Sequence, residues 1–283
     1  VRFHCWQMLL ELRVIRQELQ HLVQRNDADD RNTEVTLDFL DRRQLTVATL
    51  LTVQGDQHAL GLGAILGSDD LHHFTNRGAG GYHVVVVTGY NIKQVRKDEV
   101  PKSYEDMLQP RWKGKMVLDT QDADWFHTVL DYMGEEKGLA FMKRLAQLAP
   151  EMRTGHTLES QLLAAGEYSM SPILYGYRVA QMMAEGAPVD FAMIDPVISK
   201  PRMSALAKQA PHPHAAILFL DWIIGQEAQT IIAQEFGRGP VRKGVKSKYS
   251  RLDHPKYLVV RAETLAPMYK KRLEQYQQIF GFR

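Results

Sequence analysis

From residue 82 onward the chain alternates short β-branched runs with longer stretches that place apolar residues at helical intervals. HVVVV (83–87) is apolar at consecutive positions, which suits a buried strand, and KMVL (115–118) predicts a second. DWFHTVLDYMG (124–134) predicts a helix with an acid at its start and Gly134 at its end. EEKGLAFMKRLAQL (135–148) and TLESQLLAA (157–165) predict two more, the second with Thr157 as N-cap and Glu159 in the first turn. YSMSPIL then reads as a strand, YGYRVAQMMAEG as a helix closed by Gly186, and VDFAMI as a strand. This alternation argues for an α/β fold with largely parallel strands.

Before residue 80 the pattern is weaker. Residues 6 to 24 space Leu9, Leu12, Leu19, Leu22 and Val23 as one amphipathic helix, followed by the polar break RNDADDRN. TLDFLDRRQLTVATLLTV fits helix or strand, and GDQHALGLGAILGSDDLHHF reads as glycine-broken loop. Six of the eleven histidines lie in the first 83 residues, without the spacing of a ligand cluster. His212 and His214, in PHPHAAILFLDWIIGQEAQ (211–229), alternate with prolines and point to opposite sides of an extended segment, so they would not readily share a metal. Pro211 and Pro213 instead predict the entry to a helix whose apolar face, Ala215 to Ile224, belongs in a core.

Composition narrows the function classes. At 283 residues the chain has room for two ordinary domains, with 45% hydrophobic and 24% charged residues. A formal charge of +2 gives no argument for nucleic acid or an anionic membrane as partner. The single cysteine, Cys5, excludes an internal disulfide and any multi-cysteine metal site, which fits the cytosol and equally a disulfide-free bacterial envelope protein. No run of eighteen apolar residues occurs. The chain starts at Val1 without a signal-peptide pattern, which predicts a removed leader or a fragment.

Five segments stand in an order and spacing that resemble a known family: SYEDMLQPRWKGKMVL (103–118), QLLAAGEYSM (161–170), EGAPVDFAMIDPV (185–197), AKQAPHPHAAILFLDWIIGQEAQTIIA (207–233) and GRGPVR (237–242). The resemblance is to bacterial extracellular solute-binding proteins of the ferric-iron type, and runs from about Tyr90 to the C-terminus. It implies a two-lobed α/β periplasmic-binding-protein-like fold with hinge strands between the lobes and the ligand in the cleft. GYHVVVVTGYN would then be the first crossing between lobes. Residues 1–91 plus 197–283 would form the first lobe and 92–196 the inserted second lobe. Residues 1–80 lack the family's strand–helix–strand opening, so this part is divergent, truncated or frame-shifted. The implied function is the substrate-binding component of an ABC importer, periplasmic or lipid-anchored, monomeric, without cofactor or catalysis, with an inner-membrane permease as partner and no nucleic acid.

The resemblance also places the ligand site. Ferric binders of this type carry adjacent tyrosines whose phenolates suit a hard trivalent cation. Here Tyr175 and Tyr177 flank Gly176, so they line the cleft as aromatics and ligate metal only if ferric iron is the solute. Asp124 caps a helix or meets the solute, and Trp125 offers it a flat face. Gly155, His156 and Thr157 precede a helix whose free N–H groups suit a carboxylate or phosphate. Arg238, in GRGPVR, closes the cleft or bridges surface acids. DWF followed by GHT matches the branch without the iron tyrosines, which predicts a small organic or anionic solute over ferric iron. Two alternatives stay open: a two-lobed enzyme, with His156 as the candidate base, and a ligand-sensing regulator with an N-terminal helical segment.

Overall fold

The computed structural model of the protein describes residues 74–207 and 210–282. The amphipathic helix expected over residues 6 to 24, the elements expected up to residue 73, and Cys5 lie outside the described residues. Along the chain the elements are β1 (Phe74–Asn91), β2 (Val117–Asp119), α1 (Ala123–Met133), α2 (Glu135–Gln147), β3 (Glu151–Arg153), α3 (His156–Ala165), β4 (Met170–Tyr175), α4 (Gly176–Ala184), β5 (Val189–Ala192), β6 (Ile198–Ala207), α5 (Pro213–Ile223), α6 (Gln226–Gln234), β7 (Leu258–Val259), α7 (Ala262–Leu265) and α8 (Tyr269–Phe280).

β1 organises the molecule. Val84 to Val87 are all buried, as expected of a strand with both faces covered. The N-terminal part of β1 pairs with β6, ending at Val85↔Ser199. From Val86↔Tyr175 onward it pairs with β4, and its other edge takes β5 from Thr88↔Ala192 to Asn91↔Val189. One strand therefore belongs to two sheets and changes partners between Val85 and Val86. All three pairings are antiparallel, which corrects the expectation of largely parallel strands. Among the described residues, parallel pairs are confined to β2–β3, β6–β7 and the Met116↔Met170 bridge. Hydrophobic periodicity reports which face a residue takes and carries no strand direction.

The helices follow their local signals closely. α1 ends before Gly134, which takes φ 85° as its closing turn requires. α2 carries Glu135 and Glu136 in its first turn, where they complement the helix dipole. Gly138 lets α2 lie directly on α1, because a Cβ there would come within 2.8 Å of Leu130 Cα. α3 begins one residue earlier than expected. Gly155, at φ 103°, is its N-cap, and Thr157 is its second residue, which corrects the assignment of Thr157 as the cap. Pro213 opens α5 as expected, with His212 as N-cap. Of its apolar run, Leu220 and Ile223 are buried while Leu218 is 65% exposed, so α5 is half a core helix.

The C-terminal helix α8 lies against α1 and α2. Tyr276 is fully buried there, its ring 5.6 Å from Phe126 and 4.9 Å from Phe280. Its hydroxyl donates to the Asp119 carbonyl oxygen at 2.7 Å. Arg272, also buried, donates to both oxygens of Glu135 at 2.7 and 2.6 Å.

At the other end of the molecule His83 exchanges two backbone hydrogen bonds with Gly239, and its Nδ1 lies 3.0 Å from Ser199 Oγ. Burial pushes the His83 imidazole below its ordinary value of 6.5, and Asp253 only partly opposes this. The fold thus favours neutral His83, whose stabilising contribution is complete above about pH 6.5 and is lost as pH falls through its lowered folded value. Urea unfolding of wild type and His83→Gln at pH 7.5 and pH 5 should show the wild type losing more stability on acidification. Equal losses would refute this role.

Candidate functional site

Three elements converge on a buried polar cluster. β2 ends on Asp119, α1 starts beside Asp122 and Asp124, and α3 supplies His156 and Glu159 on successive turns of one face. β6 adds Lys200, which is almost fully buried. Its ammonium donates to Asp122 Oδ1 at 2.5 Å and to Asp124 Oδ1 at 2.9 Å. His156 lies between two acids, with Nε2 3.3 Å from Asp122 Oδ1 and Nδ1 3.2 Å from Glu159 Oε2. Asp119 accepts the Gln121 and Gly155 backbone N–H groups at 2.8 and 2.7 Å.

The electrostatics follow from this arrangement. Burial alone would raise the Asp122 carboxyl, but Lys200 and His156 outweigh it and hold it below the ordinary carboxylate range. The same acids overcome the burial of Lys200 and His156 and raise both cations. Glu159 goes the other way: burial pushes it up to about 7, with His156 offsetting only part. Burial likewise raises Asp119. Ligand atoms of Asp119, His156 and Glu159 all lie within 4.8 Å of one another, so these three could hold a metal ion.

A column of rings and cations rises from this cluster. The His156 and Tyr175 ring centroids are 4.0 Å apart, and Tyr175 stacks on Tyr177 at 6.0 Å and 22°. The Arg238 guanidinium carbon lies 4.8 Å from the Tyr177 ring and 4.7 Å from the Tyr82 ring, and Arg238 Nη1 donates to the Tyr82 hydroxyl at 2.7 Å. Arg202 Nη2 donates to the Tyr175 hydroxyl at 2.8 Å. Tyr82 and Arg202 sit on β1 and β6, so the column runs from the α3 N-terminus to the strands of the other sheet. Tyr177 also borders a small crevice with His83, Gly239, Tyr249 and Tyr257.

Of the residues expected at the site, His156, Tyr175, Tyr177 and Arg238 join this column. Asp124 is buried against Lys200, and its Oδ1 also accepts the Trp125 N–H at 2.6 Å. The Gly155 N–H is taken by Asp119, and half-buried Thr157 follows His156 in the first turn of α3. Trp125 is a correction. It is 1% exposed in the apolar core, because the third position of α1 turns inward, so its ring offers no face to a solute. Lys200, Arg202, Tyr82 and Glu159 were not expected. No residue pattern marked Lys200, because lysine, proline and arginine interrupt the apolar positions of β6.

Gly176 explains why Tyr175 has no tyrosine neighbour. A Cβ at this position would meet Leu252 Cδ2 at 2.5 Å, Val87 Cγ1 at 3.0 Å and the Val85 carbonyl oxygen at 3.2 Å. Gly176→Ala should therefore cost about 1–3 kcal/mol in chemical denaturation through overpacking. A loss below about 0.5 kcal/mol would show that the site relaxes freely.

Comparisons with known proteins agree with this architecture. A family model described as bacterial extracellular solute-binding protein matches residues 68–258. "Iron uptake protein A1" from a Synechocystis strain is 26% identical over 172 residues, covering 55% of this chain and 48% of that protein. The chain thus spans about half the length of this curated relative. The structure of iron-bound HitA from Pseudomonas aeruginosa superposes with a TM-score of 0.61 at 17% identity, covering 82% of this chain and 79% of that one. The substrate-binding protein of an ABC transporter from Agrobacterium tumefaciens gives 0.62 at 12% identity, covering 83% and 76%. At these identities the likeness establishes the two-lobed α/β fold.

Proposed function

Since the chain belongs to the family of bacterial extracellular solute-binding proteins, we propose that it is the substrate-binding component of an ABC-type importer. It captures a small anionic solute in the periplasm and delivers it to an inner-membrane permease. In this reading residues 1–91 plus 197–283 form one lobe and 92–196 the other. The protein acts as a monomer without catalysis or cofactor.

The observation that carries the proposal is the column His156–Tyr175–Tyr177–Arg238–Tyr82, which links the α3 N-terminus to the strands of the opposite sheet. Aromatic faces flanked by Arg202 and Arg238 suit a planar or polar anion. Guanidinium groups supply fixed donors for carboxylate or phosphate. His156 has both ring nitrogens beside carboxylates, Asp122 and Glu159, so it serves the cluster rather than a reacting group.

A second reading, ferric iron as the solute, is favoured by the named iron-uptake relative and the iron-bound structural neighbour. In that case Tyr175 and Tyr177 would offer phenolate oxygens, the hard donors such an ion takes.

A thermal-shift screen against carboxylates, phosphonates, amino acids, polyamines and ferric citrate tests both. The true solute should stabilise the protein by about 2.7 kcal/mol at a hundredfold excess over Kd. Arg238→Ala should weaken an anion's affinity by about tenfold or more, the worth of a charged hydrogen bond. Ferric binding would instead give a visible phenolate-to-iron absorption band lost in Tyr175→Phe. Silence from every class would remove the proposal, and turnover of a bound compound would replace it with an enzyme.

A further inference from the structure

We propose that Asp119, His156 and Glu159 form a buried site for one divalent first-row metal ion, zinc by preference, that is structural rather than transported. The donor set is one imidazole and two carboxylates, the nitrogen and oxygen ligands such ions accept. All three side chains are buried, and one ligand atom from each falls within 4.8 Å of the others. His156 Nδ1 and Glu159 Oε2 are already 3.2 Å apart. That is close to the edge of about 3.3 Å that metal–ligand bonds of about 2.0–2.1 Å span in a tetrahedron.

Two further observations point to a cation site. Glu159 Oε1 has no hydrogen-bond partner although its side chain is 0% exposed, and Asp122 Oδ2 is likewise buried and unpaired. Oε1 is the second oxygen of the carboxylate whose Oε2 faces His156 Nδ1, so an ion taken by both oxygens there would satisfy the orphaned one. The charges agree with this. A metal-bound His156 is neutral, so the ammonium of Lys200 would be left to face the acids Asp119, Asp122, Asp124 and Glu159, a setting that favours a divalent ion.

The surroundings of His156 fit a metal-bound imidazole. Its Nε2 faces Asp122 Oδ1 at 3.3 Å, and Lys200 holds that carboxylate in place. A carboxylate on the far nitrogen fixes the ring's tautomer and orientation and raises its basicity toward an ion on the near one. Asp119 is held by the Gln121 and Gly155 N–H groups, leaving further lone pairs on both oxygens. An ion there would join the end of β2 to the first turn of α3, and would stiffen the imidazole on which Tyr175 packs. The inference does not depend on which solute the cleft takes.

The test uses the full chain, stripped with a chelator and titrated calorimetrically with zinc and then manganese salts. One zinc per chain is expected, with a rise in melting temperature. Glu159→Gln, which keeps the shape of a protonated glutamate and should fold, is expected to weaken zinc by more than about a hundredfold, beyond the effect of losing an outer partner. His212→Gln/His214→Gln should bind as wild type does. Failure of the wild type to bind either metal would overturn the site. So would binding that survives Glu159→Gln, or binding lost with the two surface histidines.

Discussion

Lys200→Met is expected to cost about 3–5 kcal/mol in urea unfolding, the toll of leaving buried charges without their partner. The ammonium is the shared donor to Asp122 and Asp124, at 2.5 and 2.9 Å, and all three side chains are buried. Without it the burial of Asp122 acts less opposed and favours its neutral form, so the loss should grow as pH rises from 5 to 8. Adding Asp122→Asn and Asp124→Asn should recover more than half, because a neutral, hydrogen-bonded cluster no longer carries uncompensated charge. A single-variant loss below about 1 kcal/mol would mean that water or a proton replaces the ammonium easily.

Tyr276→Ala should be of similar size, about 3–5 kcal/mol, from the cavity left between α8 and α1. The ring is completely buried and touches Phe126, Phe280 and Phe282 at 5.6, 4.9 and 5.4 Å between centroids. Tyr276→Phe keeps that packing and removes only the bond to the Asp119 carbonyl oxygen, for which about 1–2 kcal/mol is expected. The two variants together separate volume from hydrogen bonding. If both cost the same by chemical denaturation, the contribution assigned to packing is wrong.

What the sequence made legible was local. α1, α2 and α4 were readable because their start and stop signals, such as the acids at Glu135 and Glu136 and the glycines at 134 and 186, lie within a few residues of the turns they control. The five family-like segments supplied the two-lobed fold, which no periodicity could. β6 was missed because ISKPRMSALA places lysine, proline and arginine where a strand signal wants apolar residues, although Lys200 is buried there. Its partner Asp122 lies 78 residues away, and Arg238 reaches Tyr82 across 156, separations at which residue patterns say nothing about contact. α8 was missed for the same reason, since Tyr276 and Arg272 find their partners only in the folded molecule. Trp125 was read as exposed because an aromatic next to a helix start fits both a binding face and a core, and only packing decides.

The change of partners along β1 has a geometric consequence. Its residues up to Val85 are laced to β6 and those from Val86 to β4, so the two sets of pairings meet at one peptide link of a shared strand. Ser199 faces the last rung on the first side, and Lys200 comes next along β6. The anchor of the buried acids therefore sits directly across from the point where β1 changes partners. Tyr175 pairs with Val86 and packs on His156, so the change of partners and the charge cluster meet at one residue.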